Sequence, residues 1–492
     1  MTFLRHVAWT VVVFIGVSVT AVTPAHAQAV GDMEPIDCPV APPNGFDLSC
    51  SLLTVPEDHA NPDGAVIQIA VAVSTPVDND DLPETPLVYL EGGPGYGSLD
   101  SIDYLLTYEL FADRIVYFVD QRGTGYSLPS LFCDEFLFDK RAAFPVAYYS
   151  ACAAAVADAG IQREMYTSAQ IANDIAALVE AAGYLQVDLF GVSYGSRLAL
   201  TVMRDHPSIV RRAILDSPVP LQINMYEQEV VNGYRSINAL FSACAADDAC
   251  NGAFPNLAER FHDWINTGQP VTIERLDETI LTLRSREVPG MLFELLYVSE
   301  FIPQLPRAIH EMIEGNAGPI GRLYGRIIPS GSGQTGLSAA QDTSLGYADG
   351  MRLSVVCADE LPFNSLRTAE TLSLELPVMI RSGLYSAVQF MIGACRGWGV
   401  PASADIETQT VESSIPALVL SGAFDPITPP LFADAALEGL SNGQIIRVAH
   451  AGHGIVNVNR CVVELSLAFL DDPATRLDLT CLEDYVPFWR LR

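Results

Sequence analysis

Lysine is almost missing from this chain of 492 residues: Lys140 stands alone. No Gly-Lys-Ser or Gly-Lys-Thr run exists to cradle phosphates, and a Ser-Lys catalytic pair would hang on that single side chain. Positive charge is scarce throughout, with 27 Lys and Arg against 59 Asp and Glu. The formal net charge of -32 repels the phosphates of nucleic acid, so no nucleic-acid partner is expected. Cys-x-x-Cys and His-Glu-x-x-His spacings are absent, and neither a metal nor another cofactor is expected. Beyond the first 27 residues there is no apolar run long enough to span a bilayer, and no internal repeat.

The one long apolar run opens the chain. Arg5 precedes it, Val7 to Val22 forms it, and Ala25-His26-Ala27 closes it, which is the layout of an export signal cleaved after Ala27. An uncleaved anchor is the alternative reading of the same pattern. The ten cysteines fit export, because an even number in an exported chain favours disulfides over metal ligands. Pairing between sequence neighbours is the simplest scheme: Cys38 with Cys50, Cys133 with Cys152, Cys244 with Cys250, Cys357 with Cys395 and Cys461 with Cys481. Spacing by itself leaves the connectivity open. The expected location is the periplasm or the external medium, with no membrane contact after cleavage; the oligomeric state is not legible.

From Ile67 to Asp216 short apolar segments rich in β-branched residues alternate with helical patterns. Strands are predicted at Ile67–Val73, Leu87–Leu90, Ile115–Val119, Val187–Phe190 and Ala213–Leu215. A helix is predicted over Ser168–Ala182, where Ile171, Ile175, Leu178, Val179 and Ala182 share a face, with Thr167 or Ser168 as its cap and Gly183 at its end. The rhythm returns at Ala417–Ser421 and Ile445–Val448. Buried strands between amphipathic helices imply an α/β fold with a mostly parallel sheet. The stretch between these two parts differs, with helical periodicity such as Met291–Met312 and a Gly/Ser-rich loop at Ser330–Gly336. It reads as an inserted, mainly helical lid.

Within this rhythm, Gly191-Val192-Ser193-Tyr194-Gly195 falls between a predicted strand and a predicted helix. A serine there occupies a sharp, strained turn that exposes its hydroxyl at the end of the sheet, and flanking glycines let neighbouring backbone pass. Serine is a poor nucleophile without a base, and the base needs an orienting acid. Asp425 follows the strand Ala417–Ser421, and His453 follows Ile445–Val448, in the order serine, acid, histidine. His450 is the rival base, but it sits at a strand end, whereas His453 lies between two glycines on a loop. Glu412 and Asp434 are weaker substitutes for Asp425. An oxyanion needs donors: the Tyr194 N–H, and a Gly92 or Gly93 N–H from the loop after Leu87–Leu90.

The motifs EGGPGYGS, DQRGTGYS at Asp120–Ser127, GVSYGS, GAFDPITPP and GHG resemble the α/β-hydrolase exopeptidases related to prolyl aminopeptidase. The export signal and the cysteine-bearing C-terminal segment resemble the secreted tripeptidyl aminopeptidase-like branch. The resemblance implies an α/β-hydrolase fold, with a signal peptide at 1–27, core segments at 28–220 and 401–492 and an inserted helical lid at 221–400. It implies an aminopeptidase releasing one to three residues from peptides with a free N-terminus. Ser193 would be the nucleophile, His453 the base, Asp425 its partner, and Gly93 and Tyr194 the oxyanion donors. Acidic residues bind the substrate's ammonium group in the family; Glu91, which stands where many relatives carry His or Asn, and Asp359 and Glu360 in the lid are the candidates. Arg122 of the DQRG run is expected to bridge to a neighbouring loop.

Three rival functions remain. An esterase or lipase would use the same triad on small esters or amides, and only the lid would tell it apart. Epoxide and haloalkane hydrolases place aspartate at the elbow, against Ser193. A non-catalytic binding protein on this fold would not be expected to keep all three triad members.

Overall fold

The computed structural model describes residues 29–77, 79, 81–136, 145–274, 280–327, 346–483 and 489–491. The expected leader, Lys140 and the Gly/Ser-rich stretch 330–336 lie outside them. Among the described residues, eleven strands run in chain order: β1 (Met33–Ile36), β2 (Phe46–Pro56), β3 (Val66–Pro76), β4 (Leu87–Leu90), β5 (Val116–Val119), β6 (Val187–Val192), β7 (Val210–Asp216), β8 (Val271–Glu274), β9 (Ile280–Leu283), β10 (Ala417–Gly422) and β11 (Gly443–Val448). Nine of them form one sheet in the order β1-β2-β3-β5-β4-β6-β7-β10-β11. The first three strands and the β3–β5 pair are antiparallel, and every pair from β5 to β11 is parallel.

The parallel strands are mostly apolar because helices cover both faces; Asp188 in β6 and Arg211 and Arg212 in β7 are exceptions that pair with one another. The strands' period of two divides the side chains between two cores. Val88, Leu90, Leu189, Leu215 and Val419 face one, with the helices Ser168–Ala181 and Tyr194–Asp205. Leu87, Tyr89, Phe190, Ile214 and Leu420 face the other, with the helix Arg460–Asp471. Thr167 caps Ser168–Ala181 by accepting from the Gln170 N–H.

Between β7 and β10 lies a helical layer with a core of its own, built from Met225–Ala246, Leu257–Asn266, Val288–Tyr297, Leu305–Ile313 and Val378–Trp398 together with the β8–β9 hairpin. The helical periodicity over Met291–Met312 falls on two helices, Val288–Tyr297 and Leu305–Ile313. Pro303 and Pro306 lack the N–H that an unbroken helix needs, so each sits in a first turn, where no such bond is required. All ten cysteines are paired, neighbour with neighbour as the simplest scheme has it.

Candidate active site

β6 ends at Val192 and the helix Tyr194–Asp205 begins two residues on, leaving Ser193 alone in the turn at φ 55° and ψ −123°. Serine rarely adopts that conformation. The Ser193 N–H donates to the Asp216 carbonyl at 2.9 Å, which helps to hold it there. Glycine is required on both sides. A Cβ on Gly191 would lie 2.2 Å from the Gly195 oxygen, and one on Gly195 would lie 1.9 Å from the Leu90 oxygen.

His453 lies past β11, with Nδ1 2.7 Å from Asp425 Oδ2. Asp425 is fully buried, and its carboxylate also accepts from the Ile427 and Thr428 N–H groups at 3.0 and 2.9 Å and from the Thr428 hydroxyl at 2.6 Å. Nδ1 therefore carries the proton toward Asp425 and Nε2 is left as the acceptor. Nε2 is buried and has no hydrogen-bond partner among the described residues. His450 is placed elsewhere, between the rings of Phe424 and Trp489, where burial lowers its pKa. Asp434 pairs with Arg447 at the surface.

Ser193 and His453 share the wall of a cavity of about 1040 Å³ with Glu91, Gly92, Gly93 and Tyr194. Gly92 packs against the serine: a Cβ there would meet the Ser193 Cβ at 3.2 Å. Its N–H is held by Glu91 Oε1 at 2.7 Å, while Gly93, at φ +113°, shows no acceptor for its N–H among the described residues. Glu91 also accepts from the Tyr89 hydroxyl at 3.1 Å, and burial pushes its carboxyl up to about 7.

The two acidic neighbours of the helical layer diverge. Glu360 lines the cavity, and burial raises its pKa. Asp359 does not line it; its carboxylate accepts from the Ser168 N–H at 2.8 Å and the Ser403 hydroxyl at 2.5 Å, anchoring a helix start. Sequence reasoning missed three residues. Glu229 lines the cavity with no ion pair among the described residues, its carboxyl pushed up to about 7 by burial and drawn back by Arg352. Tyr297, at the end of the helix Val288–Tyr297, packs its ring 4.1 Å from that of His453. Asp216 accepts from the Ile455 and Val456 N–H groups at 2.9 and 2.8 Å, so one residue steadies both the nucleophile turn and the histidine loop. No local motif marks them, because each acts through an element distant in sequence.

The same burial has a consequence for stability. Glu91, Glu229 and Glu294 are raised to about 7 and Asp120, Asp216 and Asp349 to about 6, all chiefly by desolvation. The folded chain keeps protons that the unfolded chain, at 4.5 for Glu and 3.8 for Asp, has already released. This contribution is present at low pH and falls as pH rises from about 4 through about 7. Half-buried His206, His262 and His450, lowered by desolvation, act in the opposite sense below 6.5, but they are fewer. Discharging a net charge of -32 also relieves self-repulsion. The melting temperature is expected to be higher at pH 5.5 than at pH 8; calorimetry showing the reverse would contradict this reading.

Comparison with known proteins divides the same site in two. Residues 85–252, which hold the Ser193 turn, match the family described as alpha/beta hydrolase fold, and residues 383–481, which hold Asp425 and His453, match the one described as TAP-like protein. The chain is an α/β-hydrolase with a TAP-like C-terminal part. This hydrolase is 22% identical over 460 residues to the serine protease Hip1 of Mycobacterium tuberculosis, covering 86% of this chain and 84% of that protein. It is 23% identical to the tripeptidyl aminopeptidase of Streptomyces lividans, covering 89% of this chain and 84% of the relative. The Streptomyces coelicolor tripeptidyl aminopeptidase is likewise 23% identical, with the same coverage. Ser193 thus falls within the one match, and Asp425 and His453 within the other.

Proposed function

We propose that this α/β-hydrolase is an exported serine aminopeptidase, releasing one to three residues from the free N-terminus of peptides. The observation that carries this reading is the cavity's charge. Glu229 and Glu360 face the space in front of Ser193, and neither forms an ion pair among the described residues. Arg352 lines the same cavity and its charge acts on both, with Arg197 the stronger influence on Glu360. Glu91, Asp100, Asp216, Glu229, Glu300 and Glu360 outnumber Arg352 and Arg490 around the cavity, an excess that favours a ligand bringing positive charge, which a peptide's terminal ammonium supplies. The Streptomyces relatives named tripeptidyl aminopeptidases support the same substrate class. Five disulfides support export. The helical layer acts as the lid, since it brings Tyr226, Glu229, Tyr297 and Glu360 over the sheet's end.

The proposed mechanism runs through an acyl-enzyme. Ser193 Oγ attacks the scissile carbonyl while His453 Nε2 takes its proton, and Asp425 steadies the imidazolium through Nδ1. The N–H groups of Gly93 and Tyr194 receive the oxyanion. His453 then protonates the leaving amine, and water repeats the sequence on the acyl-enzyme. Glu91 holds the oxyanion loop by its bond to Gly92, and Asp359 anchors the segment that presents Glu360.

Fluorogenic amides of one, two and three residues, each with a free and an acetylated N-terminus, test the substrate class beside a nitrophenyl ester. Leaving a buried charge unpaired costs about 2–5 kcal/mol, so acetylation is expected to lower kcat/KM by roughly 30-fold or more. Glu229→Gln and Glu360→Gln should raise KM for free-amine peptides more than for the ester. Turnover of the ester alone, or indifference to acetylation, would transfer the triad to an esterase.

A further inference from the structure

The base and the nucleophile are both touched by one residue of the helical layer. The Tyr297 carbonyl accepts the His453 N–H at 3.0 Å, and its ring lies 4.1 Å from the imidazole at an interplanar angle of 32°. A Cβ on Gly452 would fall 2.7 Å from that same carbonyl oxygen, so the histidine loop is pressed directly against the helix end. The Tyr297 hydroxyl lies in hydrogen-bonding reach of the Ser193 side chain, whereas His453 Nε2 has no partner among the described residues.

We infer that Tyr297 is a further catalytic residue, a hydrogen-bond donor at the tetrahedral centre that works beside the Gly93 and Tyr194 N–H groups. A phenol so placed must stay protonated to donate, and burial with Asp425, Tyr347 and Glu91 nearby pushes its pKa far up. In the free protein the hydroxyl engages Ser193. When a substrate carbonyl arrives, the Oγ–C bond forms, the carbonyl π pair moves to oxygen, and the Oγ proton goes to His453 Nε2. Tyr297 keeps its own proton and donates to the centre that has just gained charge. The effect belongs to the transition state, where a donor aimed at developing charge is worth most.

This inference rests on Ser193 being the nucleophile but not on the peptide substrate, and the experiment separates the two. Diisopropyl fluorophosphate needs only the serine and its oxyanion donors: the Ser193 Oγ–P bond forms, the P–F bond breaks, fluoride leaves and His453 takes the proton. Tyr297→Phe keeps the ring against His453 and the backbone carbonyl, so the fold and the histidine loop are retained, as an unchanged melting temperature would show. The expected result is a 10- to 100-fold slower inactivation of Tyr297→Phe, and a kcat for a free-amine tripeptide anilide reduced by the same factor with KM within about threefold. Inactivation at more than half the wild-type rate, or a raised KM with kcat preserved, would overturn the role of Tyr297. Labelling of Ser193→Ala would instead overturn the nucleophile itself.

Discussion

Ser193→Ala is expected to lose activity by roughly 10⁴- to 10⁶-fold in kcat while melting at the wild-type temperature. In the proposed mechanism the hydroxyl forms the covalent bond, and it is the hydroxyl that the strained turn, with Gly92 packed against it, holds at the cavity wall. Folding should be indifferent, since alanine meets the same backbone constraint at φ 55° that serine does, and the bond from the residue 193 N–H to Asp216 survives. His453→Ala should cost nearly as much, because an unassisted serine hydroxyl is a weak nucleophile. The double variant should be no worse than either single one, for the two side chains act as a unit. Burst-phase titration of active sites guards against trace contamination. A single variant within tenfold of wild type would remove that residue from the chemistry.

What could be read from the sequence, and what could not, follows the range of the interactions involved. The Ser193 turn is local: strand residues, two glycines and a helix start all fall within a dozen positions. Asp425 and His453 were legible because each follows a short apolar strand in a fixed order, and the structure brings their side chains within 2.7 Å. Glu360 and Asp359 are adjacent in sequence, and composition cannot say which faces a cavity. That depends on the phase of a turn, here the π-helical Val356–Glu360, which sends one carboxylate to the cavity and the other to the Ser168 helix start. Glu229 and Tyr297 lie on helices whose approach to the sheet is set by packing inside the helical layer. Their own spacing marks them only as helix residues. The strands β1 and β2 were missed for a different reason. β2 lies beside antiparallel β1 near the edge of the sheet, and its first residues are partly exposed, so the apolar run that marks the central strands is diluted by Asp47, Ser49 and Ser51.

Arg122→Met is the second large effect, and it falls on stability. Arg122 is fully buried; Nε and Nη2 reach the two oxygens of Asp174 at 2.7 and 2.6 Å, and Nη1 donates to the Glu57 and Met165 carbonyls at 2.6 and 2.7 Å. The fork thus ties the loop after β5 to the end of β2 and to the helix Ser168–Ala181. Methionine fills much of the volume but leaves the Asp174 carboxylate, itself 2% exposed, with His59 at 2.7 Å as its one remaining side-chain partner among the described residues. Breaking one partner of a buried pair costs about 3–5 kcal/mol, because the remaining charge is neither hydrated nor paired. Lysine should recover little, since a point charge cannot meet two carboxylate oxygens and two carbonyls at once. Replacing Arg122 and Asp174 together by apolar residues should cost less than Arg122→Met alone, which urea melts arranged as a double-mutant cycle would read directly. Gln121, the neighbouring residue, donates to the Glu91 carbonyl at 2.9 Å, so the same loop supports the oxyanion side of the cavity. Arg122 itself does not line that cavity. Its loss should therefore lower the amount of folded protein while kcat per folded molecule stays within a few-fold of wild type, and a kcat collapse at unchanged stability would show that the loop acts on the chemistry directly.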